Sequence, residues 1–375
     1  MRLLGRDPMS NALTTDGLVT VLGSPQKGRS GIEPSLPAKS LLRLYEIMTQ
    51  VRLVDDRMLL LQRQGRIGFY LTATGEEASH VGSAFALEDR DWIFPAYREP
   101  GAAFLRGLTI QDFVCQLYGN IHDPIKGRQM PNHISARAQN YVSISSPVGT
   151  QIPQAVGAAW AARIRGDDVI SLVFFGDGTS SQGDFHVGLN FAGVFKIPTI
   201  FLCRNNGYAI SVPLSKQTAS KSIAIKGRAY GIEGVRVDGN DVLAVYEVTK
   251  QAVDKARQGG GPTLIEAVTY RRGAHSSSDD PRKYREQSEV EQWLELDPLD
   301  RFGGFLRERG LWDDEKQKAL EERIKKEIAD AVTHAEVLPG PPVETLFDDV
   351  YATPHAELLR QKQALLDHLE SESGS

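Results

Sequence analysis

Apolar residues recur at helical spacing across 41–64, at Leu42, Tyr45, Ile47, Met48, Val51, Val54, Met58 and Leu61. That period predicts a long amphipathic helix. Gly65-Arg66-Ile67-Gly68-Phe69 breaks it; helical stretches follow at 76–87 and 109–118, with a short strand at 92–98 between them. From residue 150 the pattern alternates. An Ala-rich helix over 150–165 precedes a continuous apolar run at 169–175. A helix over 186–195 precedes a second run at 199–203, and a helix over 242–258 precedes a third at 263–269. Apolar strands separated by helices predict the α/β class, a mostly parallel sheet with helices on both faces. Near the C-terminus, Leu320, Ile324, Ile328, Ala331 and Val332 form one stripe on a charged amphipathic helix over 313–336. Pro339-Gly340-Pro341-Pro342 ends it, and a short helix is expected near 357–369. The organisation is therefore a flexible or partner-draped arm over 1–40, an α/β domain with helical extensions over 41–340, and a tail with a short helix over 341–375.

Composition narrows this picture. The net charge of -5 gives no basic field for nucleic acid. No run approaches the ~20 apolar residues of a membrane span. Two cysteines, Cys115 and Cys203, in apolar segments are too few for a disulfide framework and read as reduced thiols. The arm is rich in Gly, Ser, Pro and Thr, with Asp7 and Asp16 beside Arg2 and Arg6. Acidic residues suit a transit peptide poorly, so a cytoplasmic location is expected, with the mitochondrial matrix as the eukaryotic alternative.

In a parallel sheet, ligands bind beyond the carboxyl ends of the strands. After the run at 169–175 comes Gly176-Asp177-Gly178-Thr179-Ser180; after that at 199–203 comes Arg204-Asn205-Asn206-Gly207-Tyr208. Either loop alone reads as an ordinary turn. Together they offer a carboxylate, a carboxamide and a backbone carbonyl, hard oxygen donors suited to magnesium, whose shell is usually completed by phosphate. Gly176 and Gly178 permit close backbone approach to a diphosphate, and the following helix start favours an anion. The long polar stretch over 123–146 reads as a functional loop.

The spacing Gly176-Asp177-Gly178, 26 residues, Asn205-Asn206 resembles the thiamine diphosphate signature. With Ser181-Gln182-Gly183-Asp184 and Tyr208-Ala209-Ile210-Ser211, the chain resembles the α subunits of heterotetrameric 2-oxo acid dehydrogenases from about Leu41 to its end. The resemblance implies Mg2+ held by Asp177, Asn206 and the carbonyl of Tyr208. It implies cofactor contacts from Tyr97, Arg98, Gly176, Gly178, Thr179, Arg204 and His275, with Ser146 and Val148 at the aminopyrimidine end. On physical grounds alone, Arg98 after a strand would equally serve a surface ion pair. Some relatives bind K+ through positions matching Ser145, Pro147, Thr150 and Gln151. His275 matches a catalytic histidine beside the thiazolium; many relatives have two histidines where this chain has Ala274-His275. Its segment, 272–281, reads as a mobile active-site loop, and animal relatives are switched off by phosphorylation at the position of Ser276. Phe69 and Tyr97 are implied substrate-pocket walls, and read equally well as core aromatics.

The implied reaction is decarboxylation of a 2-oxo acid with acyl transfer to a lipoyl-bearing acyltransferase core. The glutamate that activates the cofactor comes from the β subunit in this family, so an α2β2 assembly is implied. The wording around 145–154, 203–211 and 275–280 resembles branched-chain enzymes acting on 2-oxoisovalerate; pyruvate and acetoin enzymes are the alternatives. A nucleotide-binding protein is disfavoured, since the chain lacks both G-x-x-x-x-G-K-[ST] and a G-x-G-x-x-G fingerprint after a strand. A catalytically dead scaffold subunit is disfavoured by intact Asp177, Asn206, Arg98 and His275.

Overall fold

A computed structural model describes residues 17–23 and 31–373. In chain order the elements are β1 (Leu18–Val19), α1 (Ala38–Arg63), α2 (Glu77–Phe85), β2 (Trp92–Phe94), α3 (Pro100–Leu105), α4 (Ile110–Tyr118), α5 (Gln151–Arg165) and β3 (Ser171–Gly176). They continue with α6 (Gly183–Phe195), β4 (Thr199–Asn205), β5 (Tyr208–Ala209), β6 (Val212–Pro213), β7 (Glu233–Asp238), α7 (Val242–Arg257) and β8 (Thr263–Val268). Helices α8 (Gln287–Leu294), α9 (Pro298–Glu308), α10 (Asp314–Val337) and α11 (Ala356–Ser373) complete the chain.

Six strands form one sheet in the order β1-β7-β8-β4-β3-β2, every pair parallel. The central strands are buried on both faces, which is why they read as continuous apolar runs rather than alternating ones. Their side chains still divide by parity. Leu172, Phe174, Ile200, Leu202 and Ile265 enter the larger core with α1, α2, α4, α7, α9 and α10. Val173, Phe175, Phe201, Cys203 and Leu264 enter a second core under α5 and α6. Helix α1 buries Tyr45, Ile47, Met48, Val51, Val54, Met58 and Leu61 as its period predicts; Leu44 is buried as well, and Leu42 is only half-buried. Asp313 caps α10 by accepting the amide of Lys316. Among the described residues no helix is long and apolar enough to cross a membrane.

Three features depart from the sequence expectations. Within the arm, Leu18 and Val19 pair with Arg236 and Val237, and the Asp241 carboxylate accepts the amides of Val21 at 2.7 Å and Leu22 at 2.6 Å. Residues 17–23 are thus sheet-bound, because β7 offers a free edge and Asp241 buried amide partners; residues 1–16 and 24–30 lie outside the described residues. Strand β7 is a second departure. Glu233-Gly234-Val235-Arg236-Val237-Asp238 carries too few apolar residues to register as a buried strand. Gly234 is required there, since a Cβ would lie 2.0 Å from the Ala224 carbonyl oxygen. Finally, the C-terminal helix is not short: α11 has 18 residues.

Candidate active site

Because every pairing in the main sheet is parallel, the carboxyl ends of β2, β3, β4 and β8 lie along one edge. The segments leaving them meet around a cavity of about 210 Å³. β2 leads to Tyr97 and Arg98, β3 to Asp177, Gly178 and Thr179, β4 to Arg204 and Asn206, and β8 to Arg271 and His275; all line the cavity. Gly176, Val148 and Tyr208 line it as well. Gly178 admits no side chain: a Cβ would sit 2.6 Å from that of Ala209.

The cavity lining carries buried charge of both signs. Asp177 is 1% exposed and accepts a hydrogen bond from Gln217 Nε2 at 2.6 Å. Burial pushes its carboxyl up to about 6, against the lowering effect of that bond. A carboxylate buried without a cation is a ready metal ligand. Asn206 is oriented by donating to Glu76 Oε1 at 3.0 Å, while its own oxygen accepts the amide of Tyr208 at 3.2 Å. Oxygen donors of this kind fit Mg2+.

Three buried guanidiniums, Arg98, Arg204 and Arg271, line the same cavity. Arg204 is neutralised by Glu76, at 2.5 Å, and by Glu99. Arg98 and Arg271 form no ion pair among the described residues. Arg98 donates to the carbonyls of Thr72 and His275, and Arg271 to the carbonyl of Ile210 and the hydroxyl of Tyr284. Nε of Arg271 is buried without a partner among the described residues. Burial, with the charges of Arg271 and Arg204, holds Arg98 below its ordinary value although Tyr97 and Glu76 act in the opposite direction. An excess of buried positive charge beside a cation-seeking carboxylate fits a magnesium-bound diphosphate.

His275 Nδ1 lies 3.1 Å from Arg98 NH2. Guanidinium nitrogens only donate, so Nδ1 is the acceptor and the ring proton sits on Nε2. Burial, then Arg98 and Arg271, lower the imidazole to about 3, with Asp279 pulling weakly the other way. The ring is neutral at physiological pH. Its segment has hydrogen-bond partners on both sides. Arg285 donates to the carbonyls of Arg271, Arg272 and Gly273, and Asp279 accepts both the His275 amide at 2.7 Å and the Tyr284 hydroxyl at 2.6 Å.

Two expected contacts are not brought to the cavity. Ser146 is exposed and its hydroxyl pairs with His133 Nε2 at 2.7 Å. Phe69 is half-buried beyond the end of α1 and does not line the cavity; the adjacent Tyr70 amide donates to Ser277 Oγ at 3.2 Å. Of the four positions matching a potassium site, Thr150 Oγ1 meets Ser145 Oγ at 2.8 Å and the Pro147 carbonyl at 3.1 Å, and Gln151 Oε1 is buried without a partner.

Sequence reasoning missed Arg271, Glu76, Glu99 and Gln217. Arg271 lies directly before the noted segment at 272–281, and adjacency to the end of a parallel strand was the available signal. Glu76 and Glu99 precede helices and read as ordinary first-turn acids; only their pairing with Arg204 reveals them.

Comparison with known proteins shows the family. The dehydrogenase E1 component family matches residues 45–344. The chain is 46% identical over 340 residues to 2-oxoisovalerate dehydrogenase subunit alpha, mitochondrial, of Mus musculus, covering 90% of this chain and 77% of that protein. It is 46% identical over 340 residues to the like-named protein of Homo sapiens, covering 90% and 76%. The protein of that name from Caenorhabditis elegans is 47% identical over 339 residues, covering 90% and 78%.

Proposed function

We propose a function from one premise, that this chain belongs to the dehydrogenase E1 component family. It is the α subunit of a 2-oxo acid dehydrogenase of the 2-oxoisovalerate type and acts with a β subunit. The substrates are branched-chain 2-oxo acids, as the relatives' names indicate. Thiamine diphosphate would supply the electron sink for decarboxylation, and the oxygen donors of Asp177, Asn206 and Tyr208 would hold an accompanying Mg2+. The carrying observation is one cavity lined by the buried carboxyl of Asp177 and by the buried guanidiniums of Arg98 and Arg271, which form no ion pair among the described residues.

In this reading Asp177, Asn206 and the Tyr208 carbonyl hold the metal, and Arg98 and Arg204 anchor the diphosphate end, Arg204 with its charge already balanced. Gly178 keeps the backbone close enough for contact, with Thr179 beside it. Val148 borders the ring end, and Tyr97 walls the substrate side. His275, neutral and with its proton on Nε2, donates a hydrogen bond into the cavity to a substrate carboxylate or to the acyl group before its transfer. Ser145, Pro147, Thr150 and Gln151 suit K+, since Gln151 Oε1 is an unused buried acceptor.

At about 210 Å³ the cavity is smaller than the ~300–1,000 Å³ usual for ligand pockets. This supports a site completed by the β subunit in an α2β2 assembly, with a lipoyl-bearing acyltransferase as acceptor. The relatives are named mitochondrial, which favours the matrix over the cytoplasmic location expected from the arm.

The test is turnover by the chain co-expressed with its β subunit, with thiamine diphosphate, Mg2+ and an artificial electron acceptor. The expected result is turnover of 2-oxoisovalerate in preference to pyruvate, lost in Asp177→Ala. Preference for pyruvate overturns the substrate, and no cofactor-dependent turnover with either acid overturns the enzyme reading.

A further inference from the structure

Away from the cavity, three metal-ligating side chains converge where α4 ends against α10. Cys115 lies in the second half of α4, His122 in the turn that follows, and His334 in the last turn of α10. One ligand atom from each lies within 4.8 Å of the other two. His122 Nδ1 stands 3.0 Å from His334 Nε2, with the ring planes at 39°. Around a tetrahedral ion with bonds of about 2.0 Å to nitrogen and 2.3 Å to sulfur, ligand atoms sit roughly 3.3–3.6 Å apart. The nitrogens already meet that spacing to within a few tenths of an ångström, and a small rotation of the exposed His122 ring brings them onto it.

The backbone around these groups is fixed independently. Asn120 donates to the Ala335 carbonyl at 3.1 Å while its side-chain oxygen accepts the His122 amide at 3.0 Å. The Ile121 amide donates to the Pro339 carbonyl at 2.9 Å, and the Tyr118 hydroxyl to Glu336 at 2.9 Å. Little order remains to be lost when an ion binds. None of these contacts involves the cavity residues.

We propose that Cys115, His122 and His334 form a binding site for a zinc-class divalent cation. One thiolate and two imidazoles are borderline-soft donors, which select such an ion over Mg2+ or Ca2+. Cys115 is buried and His122 exposed, so solvent supplies the fourth ligand on the His122 side. On binding, the Cys115 S–H bond breaks and its proton passes to solvent, leaving one net positive charge on the ion and thiolate. Asp112 and Asp123 are near enough to act electrostatically on Cys115 and offset that charge. The bound ion clips the end of α4 to α10. The alternative is a plain hydrogen bond between two neutral imidazoles, which makes no use of the sulfur.

The two are separated by Co2+ titration of the chain assembled with its β subunit, stripped of metal and then saturated with Mg2+. The expected result is one equivalent of tightly bound Co2+ per α chain, with a thiolate-to-cobalt charge-transfer band that Zn2+ abolishes. His122→Asn is expected to weaken Co2+ binding by at least ~100-fold, as loss of a ligand must exceed the effect of losing a group behind one. Asp177→Asn is expected to leave the band unchanged. His122 is exposed, so the variant keeps the fold, and an unchanged melting profile of the metal-free protein checks this. Absence of the band in the unaltered protein, its persistence in His122→Asn, or its loss in Asp177→Asn each overturns the proposal.

Discussion

Replacing Asp177 by Asn separates what the site does for function from what it costs the fold. The carboxyl is buried, holds one hydrogen bond from Gln217, and titrates at about 6. An unfolded aspartate titrates near 3.9, so the shift of roughly two units disfavours the charged form by about 3 kcal/mol. The sign follows from proton binding. The folded state keeps the proton to higher pH than the unfolded state, so the penalty is absent below about pH 4, grows between about 4 and 6, and is constant above. Asparagine is of the same shape, carries no charge, and still offers an oxygen to Gln217. The metal-free assembly is therefore expected to gain about 3 kcal/mol at pH 7.5 but only about 1.5 kcal/mol at pH 5. The same substitution removes the anionic metal ligand, and affinity for magnesium thiamine diphosphate is expected to fall at least ~100-fold. Urea midpoints at the two pH values measure the first effect, and calorimetric titration the second. A variant less stable than the parent at pH 7.5, or one binding the cofactor within threefold of it, refutes the reasoning.

His275 is expected to show no imidazole titration between pH 5 and 8 in the cofactor-free assembly, since it protonates only at about 3; NMR of the ring checks this. Unfolded histidine takes up its proton near 6.5, so this residue's contribution to stability falls as pH drops from about 6.5 towards 3. Replacing His275 with Asn is expected to lower 2-oxoisovalerate turnover ~100-fold or more without changing the urea midpoint at pH 7.5. Arg204→Met leaves Glu76 and Glu99 buried without their cation and is expected to cost about 3–5 kcal/mol by urea denaturation. Gly178→Ala is expected to weaken cofactor binding more than tenfold through its clash with Ala209, and adding Ala209→Gly is expected to restore most of it, as calorimetry would show.

The central strands and long helices were legible because their signals are local. The β3 and β4 runs are continuously apolar, and the α1 stripe keeps its period for about five turns. The metal-facing loops were legible because their residue types are unusual in combination. What escaped depended on distant partners. β7 is half polar and is a strand only because β8 lies on one side of it and β1 on the other. Glu76 and Glu99 are buried only because Arg204 reaches them from β4. Nothing within their own neighbourhoods distinguishes them from surface acids. The Ser146 hydroxyl likewise meets a partner distant from its own turn, the buried His133.

The pairing of β1 with β7 has a consequence for how the chain is made. Thr20 and Asp241, which share a hydrogen bond, are 221 residues apart. At roughly 5–20 residues per second, translation of that interval takes about 10–45 s. Throughout that time the earliest strand has no partner, and for as long as β1 stays away the newly made β7 keeps an open edge. The β7 edge is therefore closed by a strand made long before it, and a change that hinders the return of β1 would strike that pairing rather than the site.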